Sequence, residues 1–162
     1  MMANNYPNSN SYNKNRNYWN SNSYSKDHKG DYVDTVQMNL EPMQLPNNYI
    51  HEAEDIMRKI SRNITTSKIR GFLSLVSKVY NVESVRTEDT LLPDSMDTIQ
   101  MMRIRIVYEA GRDDTQSVKR FLNESHILNY IKGIGESRKN FIAFARYMEA
   151  LVAYHKFYGG KE

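Results

Sequence analysis

Four histidines, His28, His51, His126 and His155, are the side chains of this sequence best suited to move a proton or hold a metal. His51 stands near Glu54 and Asp55, and Glu149 is close to His155, so a shared metal or an acid–base pair can be drawn at either place. Neither group brings together the three or four converging ligands that a metal site requires, and His155 falls on the apolar face of its segment, where a hydrogen-bonded core histidine is expected. The chain has no cysteine, which removes thiolate ligands and disulfides. Gly133-Ile-Gly135 before Ser137 resembles a phosphate loop only in part: it follows a helical pattern instead of a strand and lacks a third glycine, so a helix–helix turn is expected. No serine sits in a nucleophile-elbow sequence. The residues therefore predict no catalytic group, no metal and no cofactor. A metal-independent nuclease using His126 or His155 stands as a formal alternative.

Positive charge is what remains. The net charge is only +3, so its distribution matters more than its total. From Ile56 through Val82 the chain carries Arg58, Lys59, Arg62, Lys68, Arg70 and Lys78 with no acidic residue. Nearer the C-terminus, Lys132, Arg138, Lys139, Arg146, Lys156 and Lys161 outnumber Glu136, Glu149 and Glu162. Two basic stripes on a near-neutral protein point to a polyanion gripped along its length, and ordinary solubilising charge is the competing explanation. The aromatic residues outside the N-terminal region lie mostly at core spacing, which argues for contact with a sugar–phosphate backbone over a base-stacking platform.

The element that must position these cations is the stretch Ser137 to Tyr158. Ser137 can cap free amides of a first turn, no proline interrupts, and Gly159-Gly160 can end the helix. On a wheel of about 100° per residue, Phe141, Phe144, Ala145, Met148, Leu151, Val152 and His155 share one face, with Tyr147, Tyr154 and Tyr158 along a flank. So wide an apolar arc predicts a central helix contacted by several others. The remaining strip holds Lys139, Ala143, Arg146, Ala150 and Ala153, where short side chains let another backbone come close.

Four further segments are expected to surround it. Asn47 or Asn48 starts a helix to about Ser61, with Ile50, Ala53, Ile56, Met57 and Ile60 inward. Thr65 or Thr66 caps a second, with Ile69, Phe72, Leu73, Val76, Val79 and Tyr80 inward. Pro93-Asp94-Ser95 begins a third that ends at Ala110-Gly111. Arg103 to Tyr108 alternates like a strand there, but Met96, Ile99, Met102, Ile106 and Ala110 keep helical spacing and no second strand exists to pair with it. Asp113 or Asp114 caps a fourth, which runs to Gly133 with a bend between Asn123 and His126. The predicted fold is all-α, a compact bundle of five or six helices around a long C-terminal helix, spanning residues 47–162. Residues 1–46, rich in Asn, Ser and Tyr and with Tyr6, Tyr12, Tyr18 and Tyr24 recurring every six residues, form a low-complexity tail expected to be disordered. No segment has the apolar length of a membrane span or the pattern of a signal peptide, so a cytoplasmic protein without membrane contact is expected.

Three stretches together resemble a known family. Thr65-Thr-Ser-Lys-Ile-Arg70 with Leu73-Ser-Leu75, Val107-Tyr-Glu-Ala-Gly-Arg112, and Phe144 through Gly160 are similar, in this order, to the small all-helical subunit of type III-A (Csm) CRISPR-Cas effector complexes. The resemblance implies a non-catalytic subunit, present in several copies. These lie beside the backbone and large subunits and help hold target RNA as it pairs with the CRISPR RNA. Carried onto the matching positions, it nominates Lys68, Arg70, Arg112 and Arg146 as RNA-binding residues. Arg103, Lys119, Arg138 and Lys139 join them on charge and predicted exposure. Sequence-independent backbone contacts suit a subunit that must serve any guide. A helical protein–protein adaptor with incidental basic patches is the alternative, as is a structural pairing of Arg70 or Arg146 with Glu109 or Glu149. The long tail is a departure from the family.

Overall fold

Helix starts are written locally, and the computed structural model, which describes residues 40–162, places them close to where caps predict. Helix α1 spans Tyr49–Ile60 and runs into a single 3-10 turn at Ser61–Asn63; α2 is Thr66–Glu83, α3 Pro93–Gly111, α4 Ser117–Glu124, α5 Ile127–Ile134 and α6 Arg138–Phe157. The Thr65 side chain accepts from the Lys68 N–H and that of Ser137 from the Asn140 N–H, as capping residues do. Asn48 occupies the cap position of α1 without a side-chain cap bond. The ambiguous stretch Arg103 to Tyr108 is helical, and the described residues contain only isolated bridges, Thr65 with Lys161 and Thr90 with Ser137, and no strand. The residues 1–39 of the expected tail lie outside those described.

The centre is α6, packed chiefly against α2 and α1 and also against α5. Phe141, Phe144, Ala145, Met148, Leu151 and His155 are buried as the wheel requires, whereas Val152 is half-buried. Tyr147, expected on the flank, is instead fully enclosed. Its ring meets those of Tyr130 and Tyr49 edge-on at 5.5 and 6.5 Å, and its hydroxyl donates to the Ser125 carbonyl at 2.8 Å. Burial pushes the Tyr147 hydroxyl far above its ordinary range, with the Tyr130 and Glu52 charges adding to it; burial and then Glu52 push Tyr130 up to about 12. Ser125 marks the expected bend between α4 and α5: its hydroxyl turns back to Phe121 O at 2.6 Å, and His126 takes the left-handed conformation at φ 51°. The bend is thus stapled from the far side of the core.

Two expectations about the start of the domain differ from the fold. Ile50, placed on the inward side of α1, is 51% exposed, because the buried stripe is narrower and runs through Ala53, Met57 and Ile60. Residues 40–46, assigned with the tail, form an ordered strap on α5. Met43 N–H donates to Asn129 O at 3.1 Å, Asn129 Nδ2 to Glu41 O at 2.9 Å, and Gln44 Nε2 to Gly133 O at 2.8 Å. The strap lies so close that a Cβ on Gly133 would meet Met43 O at 1.8 Å, and only glycine fits. The C-terminus closes in the same manner. Lys161 O accepts from Thr66 N–H at 2.7 Å, buried His155 donates through Nε2 to Ile64 O at 2.9 Å, and a Cβ on Gly160 would lie 2.0 Å from the His155 ring.

Candidate nucleic-acid interface

Every lysine or arginine carries charge at neutral pH, so what separates a binding cation from a structural one is whether a neighbour already uses it. The loop between α2 and α3 uses several. Glu83 is completely buried at the end of α2, and its Oε1 accepts from Leu92 N–H at 3.0 Å while Oε2 accepts from Arg86 at 2.7 Å. Burial pushes this carboxyl up, but the Ser95 hydroxyl, the Leu92 amide and Arg86 outweigh it, and it sits below the usual range. Arg86 continues to Thr90 O at 3.1 Å and to Glu88 at 3.3 Å. Arg138, at the first turn of α6, donates to Glu88 O and, at 3.0 Å, to Glu83 O. With Leu91 N–H on Glu136 O and Arg138 N–H on Asp89 O, both 2.9 Å, these bonds sew the loop to the start of α6.

The result is a basic hollow of about 460 Å³ between α1, the end of α2 and the first half of α6. Arg86 and Arg138 form its braced part, Tyr49, Tyr80 and Ser84 also line it, and Lys139, Ala143 and Arg146 line it from α6. Lys139 and Arg146 are exposed and have no ion-pair partner among the described residues. Two helical turns apart, roughly 10 Å, with Ala143 between them, they offer two cations to one extended anion at close range.

A second hollow, of about 390 Å³, opens near the other end of α6, lined by Arg62, Thr65, Lys68, Ser117, Arg120 and Lys161 among others. Here Lys68 is committed. Asp113, whose side chain is 6% exposed, receives the Lys68 ammonium at 3.0 Å and the Thr115 hydroxyl at 2.7 Å on Oδ1. The Ser117 hydroxyl at 2.7 Å and the Val118 N–H at 2.8 Å complete it on Oδ2. Burial pushes Asp113 up, yet these donors outweigh it and hold the carboxyl well below the ordinary carboxylate range. Asp113 caps α4 as expected, but from beyond the cap position, which Gln116 fills with φ 55°.

The candidate cations therefore do not form one surface. Arg138, Lys139 and Arg146 share the first hollow and Lys68 lines the second. Arg70 is exposed on α2, and Arg112 leans over the Tyr108 ring with Glu109 at 3.5 Å. Glu109 thus engages Arg112, not Arg70 or Arg146. Arg103 and Lys119, chosen as outward, are half-buried, Arg103 donating to Gln100 Oε1 at 3.4 Å. Sequence reasoning missed Arg86, whose acidic neighbours Glu83 and Glu88 make its segment read as neutral. It also missed Arg120 and left out Arg62 and Lys161, although the last two belong to stripes it noticed. Among the described residues no group of His, Asp and Glu could hold a metal ion, and no helix is long and apolar enough to cross a membrane.

Among the described residues, the arrangement sets cations on a helical scaffold. A family model described as Csm2 Type III-A matches residues 44–161, from inside the ordered strap to the C-terminal closure. The chain belongs to the Csm2 type III-A family. Among curated relatives, the CRISPR system Cms protein Csm2 of Streptococcus thermophilus is 39% identical over 121 residues, which is 71% of this chain and 94% of the relative. The protein of the same name from Mycobacterium tuberculosis is 34% identical over 122 residues, 73% of this chain and 97% of the relative. That from Enterococcus italicus is 32% identical over 97 residues, 59% and 68% of the respective chains. The Csm2 relatives of Streptococcus and Mycobacterium are thus matched along nearly their whole length.

Proposed function

We propose that the protein is a non-catalytic structural subunit of a CRISPR RNA-guided type III-A complex in the cytoplasm, present in several copies that support target RNA, paired with its guide, through backbone contacts. The observation that carries the RNA-binding part is the edge of the first hollow, where Lys139 and Arg146 stand unengaged on a rigid helix beside the braced guanidiniums of Arg86 and Arg138. Cations fixed on a helix, with an alanine between them, can follow a sugar–phosphate strand without reading its bases, as guide-directed recognition requires. Arg70 and Arg112 are accessible enough to add contacts. Lys68 serves instead to neutralise Asp113, and Arg103 and Lys119 are half-covered. Family membership supports other Csm subunits as partners, and the proposed role adds further copies of this chain, CRISPR RNA and target RNA.

In a reconstituted complex, Lys139→Glu with Arg146→Glu should leave assembly intact and weaken target RNA binding by at least about tenfold. The slope of log K against log salt should fall by about one to two per copy. Assembly with unchanged affinity and slope would overturn the RNA contact and leave the adaptor reading. Labelled RNA incubated with the purified protein should stay intact, and cleavage abolished by His126→Ala or His155→Ala would overturn the non-catalytic reading.

A further inference from the structure

Helix α3 carries two apolar stripes. Ile99, Met102, Ile106 and Ala110 face the core, while on the opposite side Met101 and Ile104 are each 58% exposed and Tyr108 is 64% exposed. The outer stripe continues in both directions at the same spacing, to Asp97 at the N-terminal end and Arg112 just past the C-terminal end. Asp97, Met101, Ile104, Tyr108 and Arg112 follow the alternation of four and three residues, lengthened to four at the last step, that makes the seam of two packed helices. Nothing in the described fold covers it, and a solvated helix face has no need of three large apolar side chains in register.

We propose that this seam pairs two copies of the free protein, with their α3 helices antiparallel about a two-fold axis at Ile104. Charge selects both the occupant and the direction. The stripe is acidic at one end and basic at the other, so antiparallel packing sets Asp97 against Arg112 of the second copy at both ends and Met101 against Tyr108 inside. Parallel packing would oppose Asp97 to Asp97 and Arg112 to Arg112. A self-complementary stripe of this kind is what an isologous contact demands. Arg105, the nearest other cation, leans away to line a groove with Glu109 and the α2 residues Ser67 and Gly71, and so leaves the axis to Ile104. Arg112 already lies over Tyr108, its guanidinium carbon 5.8 Å from the ring centroid, and its exposed contact with Glu109 at 3.5 Å is weak enough to yield to Asp97. The seam is roughly 22 Å long, smaller than a stable interface, so the pair forms reversibly and depends on concentration. It is separable from the RNA reading at Lys139 and Arg146, which lie on α6, and shares with that reading only Arg112, so Asp97→Arg reports on the seam alone.

The absence of cysteine makes the test direct. In the full chain, Ile104→Cys brings two thiols together at the axis, and mild oxidation should give a covalent dimer that reductant dissolves. Ile50→Cys, at a position 51% exposed on α1, should stay monomeric. Equal cross-linking of both, or none of Ile104→Cys, would overturn the proposal. By sedimentation equilibrium, Asp97→Arg and Arg112→Asp should each weaken pairing by about tenfold, since attraction becomes repulsion at both ends. The double exchange should restore it to within about threefold. A double variant no better than the singles, or an unaltered chain that stays monomeric at every concentration, would equally overturn it.

Discussion

The two basic hollows, one lined by the first half of α6 and the other by Lys161 just past its end, employ their cations differently. At the first, Arg86 and Arg138 satisfy loop carbonyls and Glu83, while Lys139 and Arg146 are left to solvent beside alanines that ask nothing of them. At the second, Lys68 is held by a carboxylate buried at the start of α4. The contrast teaches that a lysine's role follows from its neighbours' needs. An enclosed carboxylate requires donors, and whichever cation stands nearest becomes part of the fold.

Both hollows depend on the same core. Met148 is fully enclosed midway along α6, so Met148→Asp should abolish the cooperative thermal transition, an unpaired buried charge costing several kcal/mol against a total of roughly 5 to 15. Survival of a native-like melt, followed by circular dichroism, would break the comparison by showing that the hollows do not share a scaffold.

A smaller effect separates them. Asp113→Ala leaves the Val118 amide, two hydroxyls and Lys68 without their acceptor and should cost about 2 to 4 kcal/mol at pH 7. Because the folded carboxyl is held below its unfolded value, its contribution is fully present above about pH 4 and is lost as pH falls toward the folded value. The gap in melting temperature between the natural chain and Asp113→Ala should therefore hold steady down to about pH 4 and narrow below it. A gap independent of pH would mean that Asp113 acts through packing rather than through its charge.

The sequence made the helices legible because their signals are local: Thr65 and Ser137 cap as read, and the buried stripes of α2, α3 and α6 follow their spacing. What it hid was decided at a distance. Tyr147 reads as a flanking residue until Ser125 O, Tyr130 and Tyr49 arrive from other elements to enclose it. The strap at residues 40–46 has no periodicity, and the small size of Gly133 is its one local trace. For the candidate interface, charge was readable and its use was not. Lys68 and Lys139 look alike in sequence, and Asp113, which distinguishes them, is 45 residues from Lys68 along the chain.

The smallest expected effect tests the other half of the comparison. If Lys139 and Arg146 are surplus to the fold, Lys139→Ala with Arg146→Ala should shift stability by no more than about 0.5 kcal/mol, the usual range for exposed positions without partners. Alanine is also a slightly better helix former than either residue, so the sign can be favourable. Lys68→Ala, by contrast, should cost about 1 to 3 kcal/mol, because it leaves the Asp113 carboxylate short of its cation in a site nearly closed to water. Denaturant titration of the three variants at neutral pH measures both numbers. Equal losses at the two hollows would mean that Lys139 and Arg146 are structural after all. A clear separation would leave them as charge the fold does not need, in a position where a polyanion can reach it.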